Sequence, residues 1–220
     1  MAESIAPGWT APSSVVAAEA ITEIIAESTA QTLADDRAMA AEFHAASADT
    51  SADLYVSWPD YHRAIERLAL QVHRSGWEFD SIVCLARGGL RVGDICSRLF
   101  RKPLAILFAS SYDGELGRDR GVLKFAQSLA MTGDRLGPRV LMVDDLADSG
   151  ATLQASVQWL ADRYNLSEVR TATIWCKGCS AIVPDYYDRY LPHNPWIHQP
   201  FERYETLDWA TLEQAIDGED

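Results

Sequence analysis

The sequence predicts an α/β fold, a mainly parallel sheet flanked by helices, with an N-terminal helical extension. Two observations carry this expectation. From Tyr55 onward, apolar runs such as "KPLAILFAS", "RVLMVDD" and "VRTATIWC" alternate with stretches whose apolar residues recur at helical spacing. Strands separated by helices form parallel sheets covered on both faces, and their strands read as almost unbroken apolar runs. The second observation is size: 220 residues, 48% of them hydrophobic, suffice for one well-buried domain with an appendage.

The elements follow in chain order. Residues 1–52 are rich in Ala, Ser and Thr, and Val15, Val16, Ile21, Ile24, Ile25 and Leu33 are spaced as one face of a helix or helix pair. We expect this extension to lie against the domain or a neighbouring subunit. The domain itself spans 53–207, and 208–220 is an acidic C-terminal tail. "YVSWPDYHRAIERLALQVHRSG" reads as a short strand and a helix, with Ser57 as N-cap, Pro59 in the first turn and Gly76 at the end. Ile82 to Leu85 is a buried strand that breaks into a Gly-Gly loop; "VGDICSRLF" is helical and "KPLAILFAS" is the next strand. Residues 113–121 are polar and glycine-bearing, as in a mobile loop, and a linker with Gly133, Gly137 and Pro138 follows. Then come the strand "RVLMVDD", the helix "TLQASVQWLADRYN" and the strand "VRTATIWC".

Charge narrows the partners. A formal net charge of -13 speaks against a sequence-independent grip on nucleic acid, which needs many Lys and Arg on phosphates. No run of about 18 apolar residues predicts a membrane span. The start "MAESIAPGWT" carries an acid where a signal peptide needs basic residues, so a cytosolic protein is expected. Cys84 and Cys96 fall on apolar elements, where thiols behave as small hydrophobes. Cys176 and Cys179 form a lone CxxC without a second pair at zinc-ligand spacing.

The chemistry concentrates in "VLMVDDLADSGATL", residues 140–153. Ligands of open α/β sheets bind beyond the carboxyl ends of strands, and Asp144 and Asp145 stand at such an end. The turn that follows leads into a helix. Its backbone N–H groups, through Gly150 and Ala151, together with the hydroxyls of Ser149 and Thr152, make a cradle for a phosphate. Gly150 lets the backbone come close. The two acids cannot face that phosphate, so vicinal hydroxyls or a hydrated Mg²⁺ suit them. A phosphate, a diol and a metal-bound pyrophosphate together describe phosphoribosyl pyrophosphate. The stretch resembles the signature of the type I phosphoribosyltransferases, with Ser149 in place of the more usual Thr. That resemblance implies the fold of that family, and Mg²⁺ held by Asp144 and Asp145.

Three further blocks, "LARGGL", "SSYDGELGRDRGVLKFA" and "WIHQPFERYE", are similar to the xanthine-guanine branch of the 6-oxopurine phosphoribosyltransferases. The likeness runs from about Tyr55 to Glu205. It implies that Arg87, Gly88 and Gly89 bind pyrophosphate, with Ala86 where the branch has Ser, and that Arg118 closes over it. A guanidinium offers several donors to phosphate oxygens. It implies that Lys177 donates to the oxygen at purine C6, that Trp196 stacks on the base, and that Ile197 reads it with main-chain groups. Asp148 is the implied general base at purine N7. His198 stands where the branch has Glu, and Phe201 where it has Trp. The implied reaction converts a 6-oxopurine base and phosphoribosyl pyrophosphate to the nucleoside monophosphate and pyrophosphate, in a homo-oligomer, dimer or tetramer. Two other readings stay open: a phosphoribosyltransferase for a different acceptor, and a regulatory protein that senses phosphoribosyl pyrophosphate.

Overall fold

The computed structural model describes residues 53–112, 122–133 and 135–217. The extension expected over 1–52 and the loop expected over 113–121, with Arg118 in it, lie outside the described residues. The elements are β1 (Leu54–Tyr55), α1 (Trp58–Arg74), β2 (Ser81–Ala86), α2 (Leu90–Phe100), β3 (Leu104–Tyr112), β4 (Val122–Phe125), β5 (Arg139–Ala147), α3 (Ala151–Arg163), β6 (Glu168–Lys177), β7 (Tyr186–Leu191), β8 (Ile197–His198), α4 (Arg203–Thr206) and α5 (Trp209–Asp217). The main sheet has the order β4-β3-β2-β5-β6-β7, and β1 with β8 makes a separate two-stranded sheet. Within the main sheet every pair is parallel except β3 with β4.

Alternation along the strands sorts the core into two layers. Ile82 and Cys84 of β2 and Leu141 and Val143 of β5 join Tyr61, Ile65 and Leu68 of α1 and Val92 and Cys96 of α2. Val83, Leu85, Val140 and Met142 point the other way, onto Leu153, Trp159 and Leu160 of α3. Each fully buried aliphatic side chain contributes roughly 2 kcal/mol, so both faces hold the sheet. Helix α1 starts as the sequence expects. Ser57 is its N-cap and accepts the Asp60 N–H at 3.2 Å, proline sits in the first turn, and Gly76 follows the end at φ 69°. Among the described residues no helix is long and apolar enough to cross a membrane.

Strand β4 has no counterpart in the sequence reading, and α5 falls where a tail is expected; two further features differ. Strand β7 follows β6 in parallel through residues 178–185, which carry no helix, so the alternation rule misses it. Side chains anchor it instead. The Asp185 carboxylate accepts from the Thr171 N–H at 2.8 Å and hydroxyl at 2.9 Å, and Arg67 grips Asp188 through two 2.7 Å bonds. The second difference concerns the acids. Asp144 and Asp145 do not lie past the end of β5, which continues to Ala147. Pairing with β2 stops at Val143, where β2 is about to break into its loop, but pairing with β6 runs on to Ala147–Cys176. The acids therefore sit on a strand that has lost one neighbour. Connections run outward in opposite directions from the β2–β5 pair, so this gap is the topological switch point of the sheet.

Candidate active site

The loop after β2 lies directly on the β5 acids. A Cβ on Gly89 would stand 2.7 Å from the Val143 carbonyl oxygen and 2.8 Å from that of Leu85, both backbone atoms that cannot yield. At Gly88 a Cβ would run into the Asp145 carboxylate. The Gly89 position thus requires glycine, whereas a side chain at Gly88 would need the Asp145 carboxylate to move; the loop begins with a cis peptide between Ala86 and Arg87. The Arg87 side chain stands in solvent and meets the Glu205 carboxylate at 2.9 Å.

Asp144 and Asp145 are both half-buried. The Asp145 N–H donates to Asp144 Oδ1 at 3.0 Å, and Asp145 Oδ2 accepts from Gln199 Nε2 at 2.5 Å. Burial, and then the charge of Asp145, push the Asp144 carboxyl well above the usual carboxylate range. A cation would relieve that repulsion, and two carboxylates are a hard-oxygen donor set that suits Mg²⁺. Among the described residues no cluster of three or more His, Cys, Asp or Glu joins them into an all-protein cage. The donor set fits a cation that shares its remaining ligands with substrate oxygens and water.

Past β5 the chain turns sharply. Gly150 has φ 77°, and a Cβ there would lie 2.5 Å from Ser180 Oγ, so glycine is required on two counts. The Ser149 carbonyl accepts the Ala181 N–H at 2.9 Å, which pins the turn to the segment after β6. Helix α3 then starts at Ala151 without a side-chain cap. The Ala151 N–H makes a long 3.4 Å contact to the Ser149 hydroxyl, and the N–H groups that follow in the first turn, beside the Thr152 hydroxyl, can meet an anion.

Lys177 ends β6 with only 6% of its side chain exposed, and its Nζ lies 3.2 Å from Asp148 Oδ1. Asp148 reaches into solvent, and Cys179 Sγ is 3.7 Å from the same carboxylate oxygen. The third block forms a different surface. On β8 the Ile197 side chain enters the core while Trp196 is 62% exposed. Leu54 N–H and Val56 N–H bond the carbonyls of Trp196 and His198 at 2.8 Å and 3.0 Å. In a parallel pair this leaves the peptide groups of Ile197 on the opposite edge. The ring of His198 stacks on Tyr55, 4.2 Å between centroids, and its Nε2 is 3.0 Å from Asp53 Oδ2.

The structure brings the expected residues together in groups. Arg87, Gly88 and Asp145 line a cavity of about 1200 Å³ with Gln199, Phe201 and Glu205. Trp196 and His198 line a second of about 760 Å³, and Gln199 borders both. Lys177 and Asp148 meet each other but line neither. Gln199 and Glu205 were not singled out by sequence reasoning. Their only signal is position, as polar residues inside the "WIHQPFERYE" block.

The fold is shared with known proteins. Residues 51–206 match the phosphoribosyl transferase domain family. A curated xanthine-guanine phosphoribosyltransferase from Idiomarina loihiensis is 30% identical over 153 residues, 69% of this chain and 88% of the relative. The crystal structure of a purine phosphoribosyltransferase from Pyrococcus horikoshii is similar at TM-score 0.58 and 28% identity, over 71% of this chain and 98% of that one. A xanthine-guanine-hypoxanthine phosphoribosyltransferase from Helicobacter pylori shares the fold at TM-score 0.55 and 20% identity, over 70% and 99%.

Proposed function

The chain belongs to the phosphoribosyl transferase family, and from that premise we propose that it is a purine salvage enzyme acting on guanine, xanthine or hypoxanthine. One observation carries the base class: the buried Lys177 ammonium stands 3.2 Å from the Asp148 carboxylate. A donor beside an acceptor complements the edge of a 6-oxopurine, which offers the C6 oxygen and the N7 proton. An amino group at C6 would set donor against donor, a mismatch that a buried polar site rejects strongly.

We assign the residues these roles. First-turn N–H groups of α3, with Ser149 and Thr152, hold the 5′-phosphate. Asp144 and Asp145 accept hydrogen bonds from the ribose hydroxyls. The same two acids would hold Mg²⁺, which when bound supplies neutralisation of the pyrophosphate charge. Purine N9 attacks C1′ as the bond from C1′ to the pyrophosphate oxygen breaks, through an oxocarbenium-like state. Arg87, the N–H group of Gly88 and Arg118 stabilise the charge that leaves; the Gly89 N–H is already taken by the Leu85 carbonyl at 2.9 Å. Asp148 accepts the N7 proton, a general-base contribution of roughly 10²- to 10⁴-fold. Trp196 stacks on the ring, worth roughly 1–3 kcal/mol, and the Ile197 peptide groups read the 2-position.

Transfer to a different acceptor is the second reading. It is favoured by His198, which is engaged with Tyr55 and Asp53 at the place where the branch has Glu. The deciding experiment measures turnover of guanine, xanthine, hypoxanthine, adenine, uracil and orotate with phosphoribosyl pyrophosphate and Mg²⁺, with Asp148→Asn as control. Conversion of the oxopurines alone, lost in the variant, is the expected result. Conversion of adenine or a pyrimidine instead would overturn the base class. Phosphoribosyl pyrophosphate binding without turnover of any base would turn the reading to another acceptor or to a sensor.

A further inference from the structure

We propose that Gln199 is a positioning residue for phosphoribosyl pyrophosphate: its amide holds the Asp145 carboxylate in place and ties the base-side block to the ribose side, with the Tyr61 hydroxyl behind it. The inference rests on the functional reading above and adds a residue to it.

Gln199 directly follows β8 and is 7% exposed. Its Nε2 lies 2.5 Å from Asp145 Oδ2. An ionised carboxylate only accepts, so the amide must present its N–H₂ there, and its Oε1 is turned away from Asp145. Gly88 also lies against this carboxylate, so that a Cβ there would collide with it. Asp145 thus meets both the loop backbone and one amide. Removing the amide frees the acid to rotate without touching the pyrophosphate loop.

The Gln199 Oε1 is buried without a partner, and among the described residues the Tyr61 hydroxyl is the other buried side-chain atom in that state. One is an acceptor and the other can donate. They share a neighbourhood: the Tyr61 ring sits edge-on to Phe201, 5.7 Å between centroids, two residues beyond Gln199. Tyr61 also senses both acids: burial, then the charges of Asp145 and Asp144, drive its pKa up, so it remains a neutral donor. No direct bond joins the two atoms; a chain Tyr61–Gln199–Asp145 closed through one buried water would satisfy both. Apolar side chains would fill this part of the core at less cost if nothing needed to be held.

The test uses the full chain with Gln199→Met, similar in volume but without the amide, and Tyr61→Phe. Affinity for phosphoribosyl pyrophosphate is measured by calorimetry with and without Mg²⁺, alongside KM for each substrate and the melting temperature. Gln199→Met is expected to weaken phosphoribosyl pyrophosphate binding and raise its KM by roughly 10- to 100-fold, the scale of a hydrogen bond to a charged group. KM for the base should change by less than about threefold, a split that loss of packing alone would not produce. Tyr61→Phe should act in the same direction but less, and the double variant should lose less than the two singles combined, as coupled groups do. Unchanged binding in Gln199→Met, an equal loss for both substrates, or strict additivity would overturn the inference. Should Gln199→Met unfold, Tyr61→Phe carries the same test, since it removes one oxygen from a packed ring. Failure of the functional reading looks different, because then the wild-type protein binds no phosphoribosyl pyrophosphate. Wild-type binding matched by both variants sinks this inference alone.

Discussion

The two halves of the site are built in opposite ways. The half proposed for pyrophosphate and ribose rests on the centre of the sheet. Its strands are buried on both faces, and the spaces where Gly88 and Gly89 would carry side chains are filled by other atoms of the fold. The half proposed for the base rests partly on β1 and β8, two residues each, with Tyr55 and Trp196 largely in solvent. Backbone packed against backbone permits one arrangement, whereas side chains on a short exposed strand can be exchanged at little cost to the core. Of the departures from the xanthine-guanine pattern, Ser149 is a conservative change on the first half and His198, on the second, changes charge and shape, whereas Phe201, of the base-side block, lines the cavity beside Arg87.

The largest effect expected is also the most direct way to break this comparison. Gly89→Ala sets a Cβ against two backbone oxygens and should cost about 3 kcal/mol by overpacking, read by urea unfolding, with loss of phosphoribosyl pyrophosphate binding. Trp196→Ala should leave stability within about 0.5 kcal/mol, because the side chain is mostly exposed, while weakening base binding. Equal destabilisation by the two would show that the halves are not built differently.

Next in size is Lys177→Met, which removes the donor beside Asp148. KM for the oxopurine should rise by roughly 10- to 100-fold, with the phosphoribosyl pyrophosphate KM unchanged. Loss of both affinities together would mean that Lys177 supports the fold of both halves.

A smaller effect depends on pH. In the fold Asp144 binds its proton more tightly than in the unfolded chain, first because it is buried and second because Asp145 is charged. The stability this provides is complete below the ordinary carboxylate pKa and is lost as pH rises through the raised value. Ligand-free Asp144→Asn should therefore melt above the wild type at pH 8, with the gap closing toward pH 4. A gap that stays constant with pH would refute the assignment.

The mildest expectation concerns thiols. Burial pushes Cys84 and Cys96 up to about 12, so both stay protonated under the first half, and Cys176 is buried too. Cys179 is exposed beside Asp148. A disulfide reagent at pH 8 should label one cysteine of four quickly in the native protein, and all four after unfolding. Fast labelling of Cys84 would mean that the central strand opens.

The parallel strands from β2 to β6 were legible because buried strands on a doubly covered sheet must be apolar along their length. The Gly-Gly loop and the acidic turn were legible because phosphate chemistry needs those residue types at that spacing. Strand β7 escaped because Asp185 and Arg67 hold it where a helix would usually announce it. Gln199 and Asp145 are 54 positions apart, and Arg87 and Glu205 are 118 apart, so no local pattern links them. The sequence by itself determined the α/β class, the order of most elements and the residue types capable of phosphoribosyl chemistry, since periodicity and turn chemistry are set by near neighbours. Only the tertiary structure decided that β5 runs on past its acids, that Lys177 meets Asp148 and that Gln199 clamps Asp145. Those contacts depend on where distant strands end relative to one another, which is set by the packing of the whole sheet.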